Sequence, residues 1–482
     1  MNSLKLKTIL RHTINLLCLA PILFACAIFS YYLFKINSDH FYKTIYDKLT
    51  ITAHSIEYIL PPNYHERING KESITKEEYA EIKESLNKFT HDVQIEYAYT
   101  MMKVDGKFYF TSANSKVKDV IQKIDPIFFE EYTDAINSQL DKLDMNISKP
   151  NLVHSQDRWG DFKSIIIPKK TKSGKQYLLG ADISTQGFKD TIRLYMAASI
   201  FVGIGLFIPF AIIAYDLLNK KIIFEYIFVS KRRRSIYAAF LITLIFTFSF
   251  GFFYYDRKKS QIYEYTDTIL LTTALSAKNF LPKDYHEKLD TITKSSYEEI
   301  KNRLNQFARD IHFAYIYTMI EKEGKLYYTT SNVLDGDIQK GIETNFMQEV
   351  TTYQENIREA LHTNKIIYFN EYGSAWGNFR TVLIPIKSIV KKEFVLATDI
   401  PIQEMEASLS NSFNESLLGD LIFFVFSFSV TLILTIQISA SGLRKSWKDR
   451  IRFISLKFKL GFFTSAITIL CLSVVSYIFL YN

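Results

Sequence analysis

The stretch DRWGDFKSIIIP, Asp157–Pro168, returns further along the chain as SAWGNFRTVLIP, Ser374–Pro385. Setting Trp159 on Trp376 brings longer blocks into line on both sides. LPPNYHERIN (Leu60–Asn69) matches LPKDYHEKLD (Leu281–Asp290), and EYAYTMMKVDGKFYFTSAN (Glu96–Asn114) matches AYIYTMIEKEGKLYYTTSN (Ala314–Asn332). GADIS (Gly180–Ser184) matches ATDIP (Ala397–Pro401). Similarity over blocks of this length means that one structural unit is used twice.

The 482 residues are 48% hydrophobic and 15% aromatic. Uncharged apolar runs cover 14–34, 194–215, 236–255, 421–440 and 460–481. Each holds about 20 residues, enough to cross about 30 Å of hydrocarbon, so five transmembrane helices are expected. The N-terminal stub 1–13 and the connections 216–235 and 441–459 carry sixteen Lys and Arg against three acids, Asp216, Glu225 and Asp449. By the positive-inside rule these segments are cytoplasmic. The net charge of +8 then reads as a topology signal that also favours the lipid bilayer, and no nucleic-acid partner is expected. Segments 35–193 and 256–420 would lie outside the cytoplasm, in the periplasm or beyond. Cys18, Cys26 and Cys471 all fall in apolar runs, so neither exported segment has a disulfide to hold it. Phe228-Val229-Ser230 and Phe453-Ile454-Ser455 suggest that a third unit begins where the chain stops.

Within each segment the pattern is α+β. Ile45, Leu49, Ala53, Ile56 and Leu60 have helical spacing. Thr75 with Glu78, and Ser295 with Glu298, are spaced as capping boxes for a second helix. Asp105-Gly106 and Glu323-Gly324 sit between β-rich runs and predict hairpins, Ile95–Met102 with Lys107–Ser112 in the first copy. Another helix is expected over Pro126–Leu143, then strands near Lys163–Lys169 and Gln176–Ile183, an order that fits a PAS-like sheet.

These features together, a YxYTM strand, a turn into FYF or LYY, a Trp-Gly step, a strand ending in Pro and a last strand closing in Asp-Ile, resemble the extracytoplasmic Cache or PAS-like sensor domains of bacterial receptors. The resemblance covers both segments. It implies two antiparallel-sheet domains, a bacterial cytoplasmic-membrane receptor, and a small-molecule ligand. Those receptors pass their signal to a cytoplasmic effector domain, whereas the connections here are far too short to fold as one. A separate cytoplasmic or membrane signalling protein is therefore the expected partner, with a homodimer left open.

Tyr97 and Tyr99, repeated as Tyr315 and Tyr317, share a strand face. With Tyr109, Tyr327, Trp159 and Trp376 they are candidates to line a pocket, the alternative being core packing. Asp182 and Asp399 end the last strand. The resemblance suits them to an amine or hydroxyl, and the alternative is a helix N-cap. Arg158 has the planar fork for a carboxylate, or pairs with a neighbouring acid at the surface. His65-Glu66 and His286-Glu287 recur, but no third ligand is spaced for a metal. No nucleophile, phosphate-loop or cofactor motif occurs, so neither an enzyme nor a cofactor is expected. A sensor is the leading reading, ahead of a non-sensing membrane scaffold, a fragment of a longer receptor, or a transporter.

Overall fold

A computed structural model describes residues 2–133, 139–219, 232–282, 284–387 and 393–414. Helix α1 (Asn2–Ile59) is followed by the single turn α2 (Tyr64–Arg67) and by α3 (Lys76–Val93). On α3, Tyr79, Ile82, Leu86, Phe89 and Val93 are buried at three- and four-residue steps, the apolar stripe of a helix packed on a sheet. Its first turn is closed by Thr75, whose hydroxyl accepts from the Glu78 amide at 3.1 Å.

Strands β1 (Tyr97–Val104) and β2 (Lys107–Ala113) form the expected hairpin. Both turn residues are left-handed, Asp105 at φ 50° and Gly106 at φ 80°, which matches the strand twist. The chain then runs through α4 (Val117–Gln122) to β3 (Asn151–Asp157), β4 (Gly160–Lys170) and β5 (Gln176–Ser184), and α5 (Thr185–Asn219) follows at once. The antiparallel sheet has the order β2-β1-β5-β4-β3.

The second copy repeats this. Helices α6 (Arg232–Phe280) and α7 (Lys294–Asp310) precede the hairpin β6 (Tyr315–Lys322) and β7 (Lys325–Ser331). Next come α8 (Asp335–Lys340), α9 (Gln354–Thr363), β8 (Ile367–Ser374), β9 (Gly377–Lys387) and β10 (Glu393–Pro401). The sheet order is β7-β6-β10-β9-β8. Both sheets and their helices, Ser38–Leu194 and Tyr263–Glu406, belong to one compact unit.

Because strand side chains alternate, each sheet serves two cores. In the first copy Ala98, Met102, Ile165, Ile167 and Leu179 meet α1 and α3. Tyr97, Met101, Phe162, Ile166 and Leu178 face the other way, toward the segment joining β2 to β3. The candidate site lies on this second face.

Several expectations are corrected. Among the described residues no helix is long and apolar enough to cross a membrane, so the fold is two five-stranded antiparallel sheets with helices, and the five transmembrane helices are withdrawn. Runs 421–440 and 460–481, connection 441–459 and most of connection 216–235 lie outside the described residues. Runs 14–34, 194–215 and 236–255 fall in α1 (Asn2–Ile59), α5 (Thr185–Asn219) and α6 (Arg232–Phe280). These helices also run on into charged stretches, such as Lys43, Asp47 and Lys48, or Asp256 to Lys259.

The described residues of the helix expected over Pro126–Leu143 form no α-helix and include a 3-10 turn at Gln139–Lys142, although the second copy does form α9. Strand β3 was not foreseen. The second capping residue is Thr293, which accepts from the Ser296 amide at 3.2 Å, two places before the expected Ser295.

Candidate functional site

Each copy holds a small cavity between the outer sheet face and the segment that crosses it. The space open to the centre of a water is about 30 Å³ in the first copy and 20 Å³ in the second, room for roughly one or two waters. Tyr97, Tyr99, Phe110, Trp159 and Phe162 wall the first, Tyr132 closes it, and Asp157 and Asp182 supply its acids. Tyr315, Tyr317, Tyr328, Trp376 and Phe379 wall the second, with Tyr353, Glu371 and Asp399. Among the described lining residues of either cavity there is no Lys, Arg or His.

The walls are fastened to the crossing segment by the same two bonds in each copy. Tyr97 Oη donates to both Asp119 oxygens at 2.9 and 3.0 Å, and Tyr315 Oη donates to Asp337 at 2.8 Å. Trp159 Nε1 donates to the Ile124 carbonyl at 2.8 Å, and Trp376 Nε1 to that of Ile342 at 2.7 Å. These hydroxyl and indole groups are therefore spent on closing the cavity, and the rings offer it their apolar surfaces.

Asp182 and Asp399 form the floor, each about 5% exposed. Tyr99 Oη donates to Asp182 Oδ1 at 3.2 Å, and Tyr317 Oη to Asp399 Oδ1 at 3.1 Å. Burial pushes the Asp182 carboxyl up to about 8; the charge of Asp157 adds to this, while hydrogen bonds from Ser164 and Tyr99 oppose it. Burial likewise pushes Asp399 up to about 8, with Glu371 adding and Thr381 and Tyr317 opposing. Glu371 itself is raised to about 7 by burial. Near neutral pH Asp182 and Asp399 are thus held in the protonated form, because an uncompensated charge there loses its hydration.

The remaining polar contacts differ between the copies. Tyr132 Oη donates to Asp157 Oδ2 at 3.0 Å, and the Trp159 amide donates to Asp157 Oδ1 at 3.0 Å. In the second copy the Tyr353 hydroxyl lies 3.1 Å from those of both Tyr317 and Tyr328, and burial raises it well above the usual phenol range.

Eight of the residues singled out in the sequence come together here: Tyr97, Tyr99, Trp159 and Asp182, and Tyr315, Tyr317, Trp376 and Asp399. Three do not. Tyr109 stacks on Phe129 at 4.8 Å, and Tyr327 bridges to Glu349. Each sits on the opposite strand face from its neighbour Phe110 or Tyr328, which takes the cavity position. Arg158 reaches Glu130 at 2.6 Å and covers the Trp159 ring at 4.2 Å from its centre, outside the lining. Asp157, Glu371, Tyr132 and Tyr353 are additional lining residues. Asp157 aligns with Ser374, and Glu371 with His154, so each copy carries its second acid at a position where the other has none. That substitution hides them from a search for repeated residues.

His65 and His286 are buried, stacked on Tyr177 at 4.0 Å and on Phe394 at 3.5 Å. No group of three His, Cys, Asp or Glu is placed to hold a metal among the described residues.

No family model matches the sequence, and no curated protein does. Among solved structures, the sensory domain of the Campylobacter jejuni chemoreceptor Tlp3 with isoleucine bound is similar at 17% identity, over 36% of this chain and 66% of that one, with a TM-score of 0.25. Its complex with L-norvaline gives 18% identity over 36% and 63%, again at 0.25. This chain therefore spans less than two thirds of either. The GAF domain of a two-component sensor histidine kinase from Bacillus halodurans matches at 16% identity over 25% of this chain and 95% of that one, at 0.16. Likeness at these scores carries no weight for what this chain binds.

Proposed function

We propose that the protein is a sensor whose two repeats each take a small ligand bearing a cationic amine. The observation that carries this reading is the lining: aromatic faces and two acids in each cavity, with no basic group among the described lining residues. An ammonium group gains from aromatic faces and from a desolvated carboxylate together. An anionic ligand would find no basic partner among the described lining residues, and its charge would hold the neighbouring carboxyls in their neutral form. The conserved placement of an acid on the last strand, and the second acid supplied from different positions, both keep the charge pattern while changing the shape.

A route for the signal is built into the chain. Asp182 lies at the end of β5, and α5 begins at Thr185, so a shift at the acid acts directly on that helix. The response is then read by a separate protein. Such a shift requires the ligand to prefer one arrangement over the other.

The tightness of the cavities favours a different reading, in which both domains are packed spacers of a scaffold. Thermal unfolding of the full chain against mono- and diamines, amino acids and carboxylates separates the two. A ligand at about 100 times its dissociation constant stabilises by roughly 2.7 kcal/mol, a rise of about 2–4 °C. A rise with amines alone supports the sensor. No rise with any compound supports the spacer, and a rise with carboxylates alone removes the amine.

A further inference from the structure

We infer that the two repeats pair face to face through a twofold-like interface within the chain, and that this pairing makes their two cavities one cooperative unit. The inference does not rest on the ligand reading. In the repeat alignment Tyr58 corresponds to Asn279, and Asp92 to Asp310. Tyr58 Oη of the first repeat donates to Asp310 of the second at 2.7 Å, and Asn279 Nδ2 of the second donates to Asp92 of the first at 3.1 Å. Corresponding residues thus make reciprocal contacts, the mark of an isologous interface.

The apolar packing is reciprocal too. Ile51 and Tyr58 join the buried cluster of the second repeat, and Leu275 packs against that of the first. Tyr58 meets Phe280 and Phe307 with ring centres 5.5 and 5.2 Å apart. Lys278 pairs with Asp92 at 2.9 Å, while Lys169 stands 3.5 Å from Glu57 and 3.8 Å from Asp310.

Both acids stand where a helix alone would reject them. Asp92 and Asp310 lie in the last turns of α3 and α7, at the negative end of the helix dipole, and the opposite repeat supplies the groups that offset this. From each acid the chain passes straight into the strand that walls the cavity, to Tyr97 in one repeat and Tyr315 in the other. The Glu96 amide on the first of these links donates to the backbone oxygen of the floor residue Asp182 at 2.9 Å. The interface and the cavity are therefore two ends of one short connection.

Hydrogen exchange on the full chain carrying Leu383→Ala tests this. Leu383 is fully buried in the outer core of the second repeat, in a cluster whose described members all belong to that repeat, and its truncation opens that core. We expect β1 amides Tyr97–Met102 to lose protection together with those of β6 and β10, by about 100-fold in both repeats. Adding Asp92→Ala and Asp310→Ala should confine the loss to the second repeat. Loss confined to β6, β9 and β10 in L383A alone overturns the proposal, as does a β1 loss that persists after both interface acids are removed. Leu383→Val, with a smaller expected loss, gives the same reading should L383A fail to fold.

Discussion

Asp182 and Asp399 set the chemistry of each cavity because burial holds them neutral near pH 7. If an ammonium group binds them as carboxylates, each site must release a proton when it fills below about pH 8. The expected outcome is an amine affinity that rises up to tenfold per pH unit between pH 6 and 8. Titration calorimetry in two buffers of different ionisation heat should show nearly one proton released per site. Asp182→Asn removes both the affinity of the first repeat and its share of the proton release. A pH-independent affinity would count against the carboxylate as the partner. Gly180 makes a second, sharper case. A Cβ there would lie 2.3 Å from the Tyr99 ring, yet the second repeat carries Ala397 opposite Tyr317 in the same register. Gly180→Ala should therefore move Tyr99 toward the arrangement of Tyr317 without unfolding the domain. The check is a weakened ligand response in the first repeat at an unfolding midpoint within a few degrees of the parent; an unfolded variant would show that the first repeat cannot adopt the second's geometry.

At the scale of elements, the hairpin turns offer a clean comparison. Asp105 and Glu323 occupy the same left-handed position, at φ 50° and 55°. Asp tolerates this region better than Glu, and Asn better still. Glu323→Asn should stabilise the second hairpin by on the order of 0.5 kcal/mol, measurable as a raised denaturation midpoint, and a lowered one would mean that Glu323 makes a contact outweighing its backbone strain. These turns were legible in the sequence because Asp-Gly and Glu-Gly between alternating β runs have few other readings. So were α3, the strands around Trp159 and Trp376, and the last strand. Strand β3 was not, since NLVHSQD (Asn151–Asp157) is polar and buries only Val153 fully on an edge, where no apolar alternation is required. Tyr109 and Tyr327 were misplaced for a related reason. Aromatics fill both faces of β2 and β7, so composition alone does not say which points inward, and a register shift between Thr100 and Met101 breaks the simple count from β1. The five expected membrane helices rested on the length of apolar runs, and among the described residues no helix is long and apolar enough to cross a membrane.

Over the whole molecule, the buried ionisable groups act in opposite directions on stability. Burial lowers His65 and His286 to about 3, and the Nε2 of His65 has no hydrogen-bond partner. For these depressed groups stability is present above the unfolded value near 6.5 and is lost as pH falls toward 3. Asp182 and Asp399 are raised to about 8. Their contribution is present below the unfolded value near 4 and is lost as pH rises through 8, because the folded state then holds carboxylates in a dry cavity. Each unit of difference is worth about 1.4 kcal/mol. The two contributions cancel between about pH 4 and 6.5, where the chain should be most stable, with an acid limb owed to the histidines and an alkaline limb owed to the acids. Differential scanning calorimetry from pH 3 to 9 resolves the two. His65→Phe, which keeps the stack on Tyr177, should remove about half of the acid limb and leave the alkaline one. Asp182→Asn with Asp399→Asn should do the reverse, raising the midpoint at pH 8 more than at pH 5. An alkaline limb unchanged in that double variant would mean that both carboxyls are already ionised in the empty cavities, and the proton release expected on amine binding would go with it.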